Sequence, residues 1–565
     1  METSDKKLDE LMIAIEKYKR RLAINKNDNQ IDYIKIGNEV EKIKVSCCHL
    51  VEARRGCGKT TLIIKSVANE KDVMPIYIDC QKYIEIRQDE IILGICTEII
   101  KTYYEFLDSD EIRESEIVYN KKVKGIRGIF RKKFGLIDEK LVVNHKNYLM
   151  LQKLLSKLSF AIENMLSKPE EQELYYESSL DDSYSKTEIK TKAKEKNFSL
   201  NNEIEMSRSY RELDGKINTI FNYNYETSKS LEENKENREV SKVATKSHKT
   251  VKRADLINEF KLCLAQLFTL FNELYEKRTI LFLDDFYQIP NINHPRILQY
   301  MHGIYKESKN YAFCMNAVGI PETIKINYEG KTTFSKKDDF PSIVLNYDLA
   351  KLELLQDNLV KIMITLQPQL EISESDIKSL FSNDTLKYLV IASGGVPRDF
   401  MTTFADTLDN ARKREMNTGI ARIDLYKAIA KLKQDKDENR ETELSDYSEK
   451  AIEIVIQFIS ENIIKGLKTN AILYPKKDYE KHERLIKTLV NLRYLHIIKS
   501  HVTPEGKNFE AVGLLIDMTF YATNGRMPNG FIPCEFWKAD THSSELRRAK
   551  IWKFEDDLIK SLDHI

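Results

Sequence analysis

The stretch from residue 47 to residue 65 constrains the fold of this chain more than any other. An apolar, strand-like run at 47–51 is followed by a short turn, and a helix-like run occupies 62–65. Such an order can point consecutive backbone N–H groups at one anion, with a lysine on the outer phosphates and a hydroxyl beside Mg²⁺. The residues of the turn are Ala53, Arg54, Arg55, Gly56, Cys57, Gly58, Lys59, Thr60 and Thr61.

This turn differs from the strict G-x-x-x-x-G-K-[ST] pattern in its first position, which is Ala53. An ordinary strand-to-helix turn is therefore the alternative interpretation. Glycine is scarce, with 19 in 565 residues, yet Gly56 and Gly58 both fall here. We predict that residues 53–61 bind the phosphates of ATP, with Lys59 on the phosphates and Thr60 on Mg²⁺.

A second apolar run, at 279–283, ends in two carboxylates, Asp284 and Asp285. At the end of a buried strand, the first carboxylate would lie beside Mg²⁺ and the second would face the water that attacks the γ-phosphate. We assign Asp284 to the metal, largely through water, and Asp285 to positioning or deprotonating the nucleophile. A plain surface turn after a buried strand is the alternative.

Two later positions are candidates for sensing the γ-phosphate. Asn316 is a polar residue inside the apolar run 311–318. It would sense the phosphate or hold the attacking water, or it would satisfy a backbone group, and the sequence leaves both open. Arg398 follows Gly394, Gly395 and Pro397, a pattern that ends one helix and starts another. An arginine in the first turn of such a lid helix can reach back to the γ-phosphate.

The C-terminal part has the pattern of a winged helix. Helices are predicted at 451–464 and 478–492, then a strand at 494–498, a polar turn at 503–508 and an apolar run at 509–521. Basic residues on or just before the second helix are candidates for phosphate contacts with duplex DNA. These residues are Lys476, Lys477, Lys481, Arg484 and Lys487. The alternative is a protein-binding domain whose lysines are merely solvated.

Composition limits the protein class only broadly. The formal net charge is +1, so DNA binding would need a local basic face. Eight scattered cysteines without a C-x-x-C spacing predict reduced thiols rather than a zinc site. The N-terminus has no apolar leader and no run reaches membrane-spanning length, so we expect a cytoplasmic protein with no membrane partner.

The region 107–251 is polar and is predicted to be an insertion. It contains a helical pattern at 147–167 and a hairpin-like strand at 198–206. A basic patch there would contact nucleic acid or form a solvated helix face, and the second is the expected role. The patch consists of Arg127, Arg131, Lys132 and Lys133.

The predicted fold class is α/β: a P-loop NTPase parallel sheet with a helical lid, followed by a small winged-helix domain. The lead-in is 1–30, the ATPase core 31–348 and the lid 349–432. A charged linker at 433–450 and the winged helix with its tail at 451–565 complete the chain.

With these elements the chain resembles the origin-recognition, initiator-like branch of the AAA+ ATPases, especially bacterial members carried by mobile or defence islands. The resemblance implies that Lys59 binds phosphate, Thr60 helps to hold Mg²⁺, and Asp284 with Asp285 supports hydrolysis. It also implies that Arg398 senses the nucleotide from the lid and that the winged helix grips duplex DNA.

One departure from that family concerns its arginine finger. No arginine lies between Arg296 and Arg398, and such a finger contributes roughly 10³ to 10⁵ in rate. Hydrolysis is therefore expected to be slow, with ATP acting as a switch, unless a partner protein supplies the arginine.

Two functional hypotheses follow. The first is an ATP-dependent DNA-binding switch in phage defence or mobile-element maintenance, working with a separate effector protein. The second is a signalling scaffold that self-associates on nucleotide binding and uses its winged helix and insertion to bind protein.

Overall fold

The computed structural model describes most of the chain in separate stretches. These are residues 2–19, 33–35, 37–123, 139–167, 171–178, 245–328, 331–345, 347, 349–382, 384–414, 419–438, 447–522, 526–538 and 545–562. The predicted strand at 198–206 and the basic patch of Arg127, Arg131, Lys132 and Lys133 lie outside the described residues.

The described chain contains eleven strands and seventeen α-helices. The strands are β1 (His49–Glu52), β2 (Val73–Asp79), β3 (Glu171–Ser178), β4 (Thr245–Lys252), β5 (Arg278–Asp284), β6 (Phe313–Gly319), β7 (Ser342–Val344), β8 (Ala471–Pro475), β9 (Leu495–Val502), β10 (Ala511–Ile516) and β11 (Lys550–Ile551). The helices are α1 (Lys6–Lys19), α2 (Glu39–Ile43), α3 (Lys59–Val67), α4 (Gln88–Leu107), α5 (Asp110–Val123), α6 (Glu139–Ser167), α7 (Arg253–Tyr275), α8 (His294–Glu307), α9 (Leu352–Ile364), α10 (Glu374–Ser379), α11 (Thr385–Ala392), α12 (Pro397–Lys413), α13 (Arg422–Glu438), α14 (Glu449–Ile459), α15 (Lys476–Lys481), α16 (Glu483–Asn491) and α17 (Asp556–Leu562).

A five-stranded sheet of order β2-β5-β6-β1-β7 forms the centre of the protein, and all its strands are parallel. Parallel sheets need helices on both faces, which explains why these strands are apolar along most of their length. The predicted α/β class is confirmed. The carboxyl ends of β1 and β5 carry the turn at 53–61 and Asp284, so the sheet brings the two regions to one edge.

Side chains alternate along each strand between two hydrophobic cores. One face, represented by Val51 and Phe282, packs with α1, α3, the helices after β7 and the C-terminal elements. The opposite face, represented by Leu50 and Leu283, packs with α4, α6, α7 and α8. The sheet edge that carries the turn is thus held between two separately packed layers.

Helices α9 to α13 form the predicted lid region. Helix α12 packs against α13 and against α1, where Arg412 bonds the Thr3 carbonyl and the Asp9 carboxylate. Helix α13 continues to Glu438, into the stretch predicted to be a linker, because Lys436 is buried there in an ion pair. Residues 439–446 of that stretch lie outside the described residues.

The C-terminal unit, residues 447–562, contains a four-stranded sheet of order β11-β8-β10-β9. Strand β10 is antiparallel to both β8 and β9. The single helix predicted over 478–492 is divided into α15 and α16 at His482, whose ring nitrogens contact the Tyr474 hydroxyl at 2.6 Å and the Asp556 carboxylate at 2.8 Å. The sequence reading passed over β8, a run of only five residues.

In the insertion region the described elements are α5, α6 and an antiparallel pair formed by β3 and β4. Helix α6 covers the predicted 147–167 segment but begins earlier, at Glu139. No helix in the described stretches is both long and apolar enough to span a membrane.

Candidate functional site

The turn after β1 adopts a conformation that requires its two glycines. Gly56 and Gly58 have φ angles of +83° and +79°, in the left-handed region that favours glycine. A Cβ atom on Gly56 would lie 2.9 Å from Val396 Cγ1 and 3.0 Å from Arg398 Cβ. On Gly58, which precedes the first residue of α3, it would meet nothing within 4 Å. The loop is therefore packed against the lid at Gly56 and open at Gly58.

Lys59 is the first residue of α3 and its side chain is buried within the loop. Its Nζ donates to the Ala53 carbonyl at 3.0 Å and to the Arg54 carbonyl at 3.4 Å. Burial lowers the pKa of Lys59, while Asp285 and Asp284 oppose that shift. The ammonium group thus lies between the start of the loop and the two acidic residues.

Thr60 and Asp284 meet directly although 224 positions separate them. The Thr60 hydroxyl donates to Asp284 Oδ2 at 2.7 Å, and the Asp285 backbone N–H donates to Asp284 Oδ1 at 3.0 Å. Burial, and then the neighbouring Asp285, raises the pKa of Asp284 to about 6. Asp285 itself has a φ of 49°, a left-handed backbone conformation that is uncommon for residues other than glycine.

The donor set around Thr60 and Asp284 fits Mg²⁺. Both side chains offer oxygen atoms, which Mg²⁺ prefers, and a cation beside Asp284 would favour its charged form. Among the described residues, no cluster of three or more His, Cys, Asp or Glu side chains could hold a metal. Waters and phosphate oxygens would have to complete the coordination, as is usual for Mg²⁺.

Arg398 lies against the loop from the lid side. It is the second residue of α12, and its backbone N–H donates to the Gly56 carbonyl at 3.4 Å. Its Nε is buried, and no acceptor in the described part of the chain bonds it. The structure thus brings the predicted lid arginine to the loop.

The remaining loop side chains connect the loop to its surroundings. Arg54 donates to the Gly394 carbonyl at 2.8 Å, and its other terminal nitrogen is 3.5 Å from His496 Nδ1 in the C-terminal unit. The Cys57 carbonyl accepts a hydrogen bond from the Tyr347 hydroxyl at 3.2 Å. Cys57 and Thr61 are buried.

A cleft of about 570 Å³ lies at the carboxyl ends of β1, β6 and β7, where Ala53 and Arg54 form part of its wall. Strand β9 and helix α16 of the C-terminal unit line its other side. Ligands of open α/β sheets bind outside the carboxyl ends of the strands.

Asn316 is not brought to the loop. It lies opposite His49 and Phe282, and Phe282 precedes Asp284 by two residues. Its Oδ1 is 3.2 Å from His49 Nδ1, whereas its Nδ2 is buried with no acceptor in the described part of the chain. The sequence left two roles open for Asn316, sensing the γ-phosphate or satisfying a backbone group. The contact with His49 resembles the second role, with a side chain in place of the backbone group.

Most of the basic residues predicted to contact DNA have acidic or aromatic side chains as partners. Lys476 pairs with Glu510 at 3.0 Å, and Lys481 lies 3.9 Å from Asp478. Lys477 is exposed.

On helix α16 the basic residues have partners as well. Lys487 bonds Glu322 at 3.2 Å and Glu483 at 3.0 Å, and Arg484 lies 4.9 Å from the centre of the Tyr447 ring. The Asn491 amide donates to the Pro321 carbonyl at 2.8 Å. Helix α16 therefore packs against the loop that follows β6.

The sequence reading missed three contributors to this region. Tyr347 supports the loop at Cys57, and Arg493 of the C-terminal unit bonds Asp399, the residue after Arg398, at 2.7 Å. Glu52 is buried at the end of β1 and accepts from the Glu322 N–H at 3.4 Å. An acid within an apolar run next to the loop was the available signal for Glu52, whereas long-range contacts like those of Tyr347 and Arg493 leave no local pattern.

Comparisons with known proteins do not assign this chain to a family. No protein-family model matches it, and no curated protein is significantly similar to it.

Proposed function

We propose that the protein is an ATP-binding, Mg²⁺-dependent P-loop ATPase of the AAA+ type that acts as a nucleotide switch. The observation that carries the proposal is the 2.7 Å contact between Thr60 and Asp284 beside the buried Lys59 ammonium, at the start of a helix and the edge of a parallel sheet. Hydroxyl, ammonium and carboxylate groups in that arrangement are the parts that phosphoryl transfer from a nucleotide needs.

Each residue has a definite role in this proposal. Lys59 and the N–H groups of residues 56–60 bind the phosphates, and Thr60 with Asp284 holds Mg²⁺, which would neutralise charge on the phosphate oxygens. Asp285 accepts the proton of the attacking water or orients it. Asn316, whose Oδ1 contacts His49 inside the sheet, has no direct role in this proposal.

The lid and the C-terminal unit are the proposed responding parts. Arg398 reaches the loop from α12, and Arg54 connects the loop to Gly394 and His496. The phosphates of a nucleotide in the loop would compete for the donors of these contacts, the Arg398 N–H and the Arg54 guanidinium. ATP and its products would therefore hold the C-terminal unit differently.

Duplex DNA is the proposed partner of the C-terminal unit. Its element order of helix, strand, two helices and two antiparallel strands supports a winged helix, and Lys476, Lys477, Lys481 and Arg484 would contact phosphates. A role in phage defence or mobile-element maintenance, with a separate effector protein, rests on the family resemblance alone.

A scaffold function is the second candidate, and one observation favours it. Lys487 and Asn491 of α16 are engaged with Glu322 and Pro321 of the ATPase core. Because α16 already contacts another part of the chain through Lys487 and Asn491, the same face could bind a partner protein in its place. In that case nucleotide binding drives self-association and the lysines are solvated.

The test is phosphate release by the full chain, with and without duplex DNA, with Lys59→Ala as the blank. Stimulation by DNA would support the switch, and slow turnover indifferent to DNA would favour the scaffold. DNA binding that falls steeply with salt and is lost on charge reversal at Lys477, Lys481 and Arg484 would support the DNA-contact face. Unchanged affinity in that variant would exclude it.

A further inference from the structure

A cysteine, a histidine and an asparagine lie in contact at the amino end of the central sheet, away from the phosphate loop. Cys47 precedes β1, His49 is the first residue of β1, and Asn316 lies opposite His49 on β6. The loop at 53–61 follows the other end of β1, about 10 Å along the strand from His49. The proposed nucleotide site uses none of these three side chains.

The contacts join the three side chains in one order. Cys47 Sγ lies 3.1 Å from His49 Nε2 and 3.8 Å from His49 Nδ1, and Nδ1 lies 3.2 Å from Asn316 Oδ1. A carboxamide oxygen only accepts hydrogen bonds, so this contact places the ring proton on Nδ1. Nε2, the nitrogen closer to the thiol, then carries the lone pair that can accept a proton. A nucleophile beside a base that a third group orients is the arrangement of covalent catalysis.

Cys47 is also the most accessible thiol of the chain. Its side chain is half-buried, whereas the other seven cysteines are buried. Burial raises the pKa of the Cys47 thiol and lowers the pKa of the His49 imidazole. Both groups are therefore neutral near pH 7, and the thiol loses its proton only when a base accepts it.

The carboxamide of Asn316 gives a second, independent indication. The residue is fully buried, and its Nδ2 bonds no acceptor in the described part of the chain. A buried amide donor without a partner costs stability, so packing alone does not account for an asparagine at this position. The contribution of this side chain is the oxygen that holds the ring proton on His49 Nδ1, and an unused donor remains beside the imidazole.

We propose that Cys47, His49 and Asn316 form a reactive-thiol site that takes small disulfides. His49 Nε2 accepts the thiol proton as Cys47 Sγ attacks one sulfur of the disulfide. A new S–S bond to Cys47 forms while the old S–S bond breaks, and the second half leaves as a thiolate that takes up the proton from His49. Cys47 is oxidised, the small disulfide is reduced, and the product is a mixed disulfide at the start of β1.

The residues at this end of the sheet suit that reaction class. Thiol–disulfide exchange needs a nucleophile, a base and access, and it develops no oxyanion that further N–H donors would have to stabilise. Asn316 acts through His49 and is therefore a positioning residue.

The experiment follows the reaction of the folded full chain with a dipyridyl disulfide, which releases a coloured thiopyridone. We expect a single fast-reacting thiol, absent in Cys47→Ser. The rate should fall about tenfold or more in His49→Gln, because general bases contribute at least that much. The matched control is His302→Gln, which removes another buried histidine, on α8, and should react like the wild type. Thermal unfolding of each variant checks that it is folded.

Two substitutions test Asn316. Asn316→Leu removes the acceptor for the Nδ1 proton and should slow the reaction several-fold. Asn316→Asp keeps an oxygen in that place and should react at close to the wild-type rate. A loss of rate in both variants, in proportion to their loss of thermal stability, would exclude the positioning role.

Three results would overturn the proposal. Equal reactivity of the wild type and Cys47→Ser would place the reactive thiol elsewhere. An unchanged rate in His49→Gln, or an equal loss in His302→Gln, would show that His49 is not the base. A rate no higher than that per thiol of the urea-unfolded chain at the same pH would mean that the site does not activate Cys47. Since the assay contains no nucleotide, its outcome is independent of the proposed ATPase.

Discussion

The loop at 53–61 and the basic residues on α15 and α16 both stood out in the sequence, and the structure treats them differently. Around the loop, Lys59, Thr60 and Asp284 converge within hydrogen-bonding distance of one another or of the loop carbonyls. On α15 and α16, neighbouring lysines turn to separate partners, such as Glu510 and Glu322. The local sequence of a phosphate loop determines its backbone geometry and therefore the position of its side chains. A row of charged residues on a helix does not determine which partners those residues contact.

Asp285→Asn tests most strongly whether the loop region differs from α15 and α16 in having a catalytic function. If Asp285 is the general base, the rate of phosphate release should fall by about 10² to 10⁴, the usual contribution of such a base. ATP affinity should change little, because Asp285 is not assigned to the phosphates. The matched control is Asp79→Asn, at a residue that is paired with Asp284 in the sheet register and whose carboxylate accepts from the Gln81 N–H. An undiminished rate of ATP hydrolysis in Asp285→Asn would show that Asp285 is not the general base.

Lys59→Ala should weaken ATP binding by about 30-fold or more, since loss of one partner from a buried charged contact costs about 2 kcal/mol or more. Equilibrium binding of a fluorescent ATP analogue measures the effect. Lys65→Ala, on the same helix and away from the loop carbonyls, serves as control. Equal affinities for the two variants would mean that the loop does not bind phosphate.

Asp284→Asn should stabilise the ligand-free protein at pH 7.5. Because the folded-state pKa is raised from 3.8 to about 6, the ionised carboxylate opposes folding by up to about 3 kcal/mol. The neutral Asp284 carboxyl makes its full contribution to stability below about pH 4, and this contribution is lost as the pH rises through 6, so the advantage of the variant should vanish near pH 4. Thermal unfolding at both pH values measures it. An advantage that persists at pH 4 would have another cause.

Glu322→Gln is the smallest and most discriminating change. It breaks the ion pair with Lys487, a half-exposed contact worth about 0.2 to 1 kcal/mol. If α16 binds DNA, affinity for a duplex should rise a few-fold at low salt as Lys487 loses its partner in the loop after β6 and keeps only Glu483. A lower affinity for the duplex, or an unchanged one, would mean that α16 packs against the loop after β6 and does not bind DNA. Glu483→Gln, which removes the second partner of Lys487 within α16, is the comparison.

Much of the central sheet was predictable because its elements carry strong local signals. The apolar runs that became β1, β5 and β6 were all recognised, as was the helix start at Pro397. Element boundaries differed by a few residues: the apolar run at 311–318, for example, became β6 at Phe313–Gly319.

What could not be predicted depends on contacts between distant residues. The break at His482 follows from its bonds to Tyr474 and Asp556, which no local pattern encodes. The same is true of the way Arg54 joins the loop to His496, 442 positions later. Asn316 was recognisable as a polar residue in an apolar run, but only the register of the sheet identified His49 as its partner.

The buried pair of Lys436 and Asp517 determines where the chain can be divided. Their nitrogen and oxygen lie 2.7 Å apart with side chains 2% and 0% exposed. Although burial alone would raise it, Lys436 and His496 hold the pKa of Asp517 well below its usual range. A C-terminal fragment that starts after residue 438 would retain the carboxylate without its ammonium partner, at a cost of about 3 to 5 kcal/mol. The charged stretch that begins at residue 433 is therefore not a domain boundary at which the chain can be divided. A fragment that contains the C-terminal unit must begin upstream of α13.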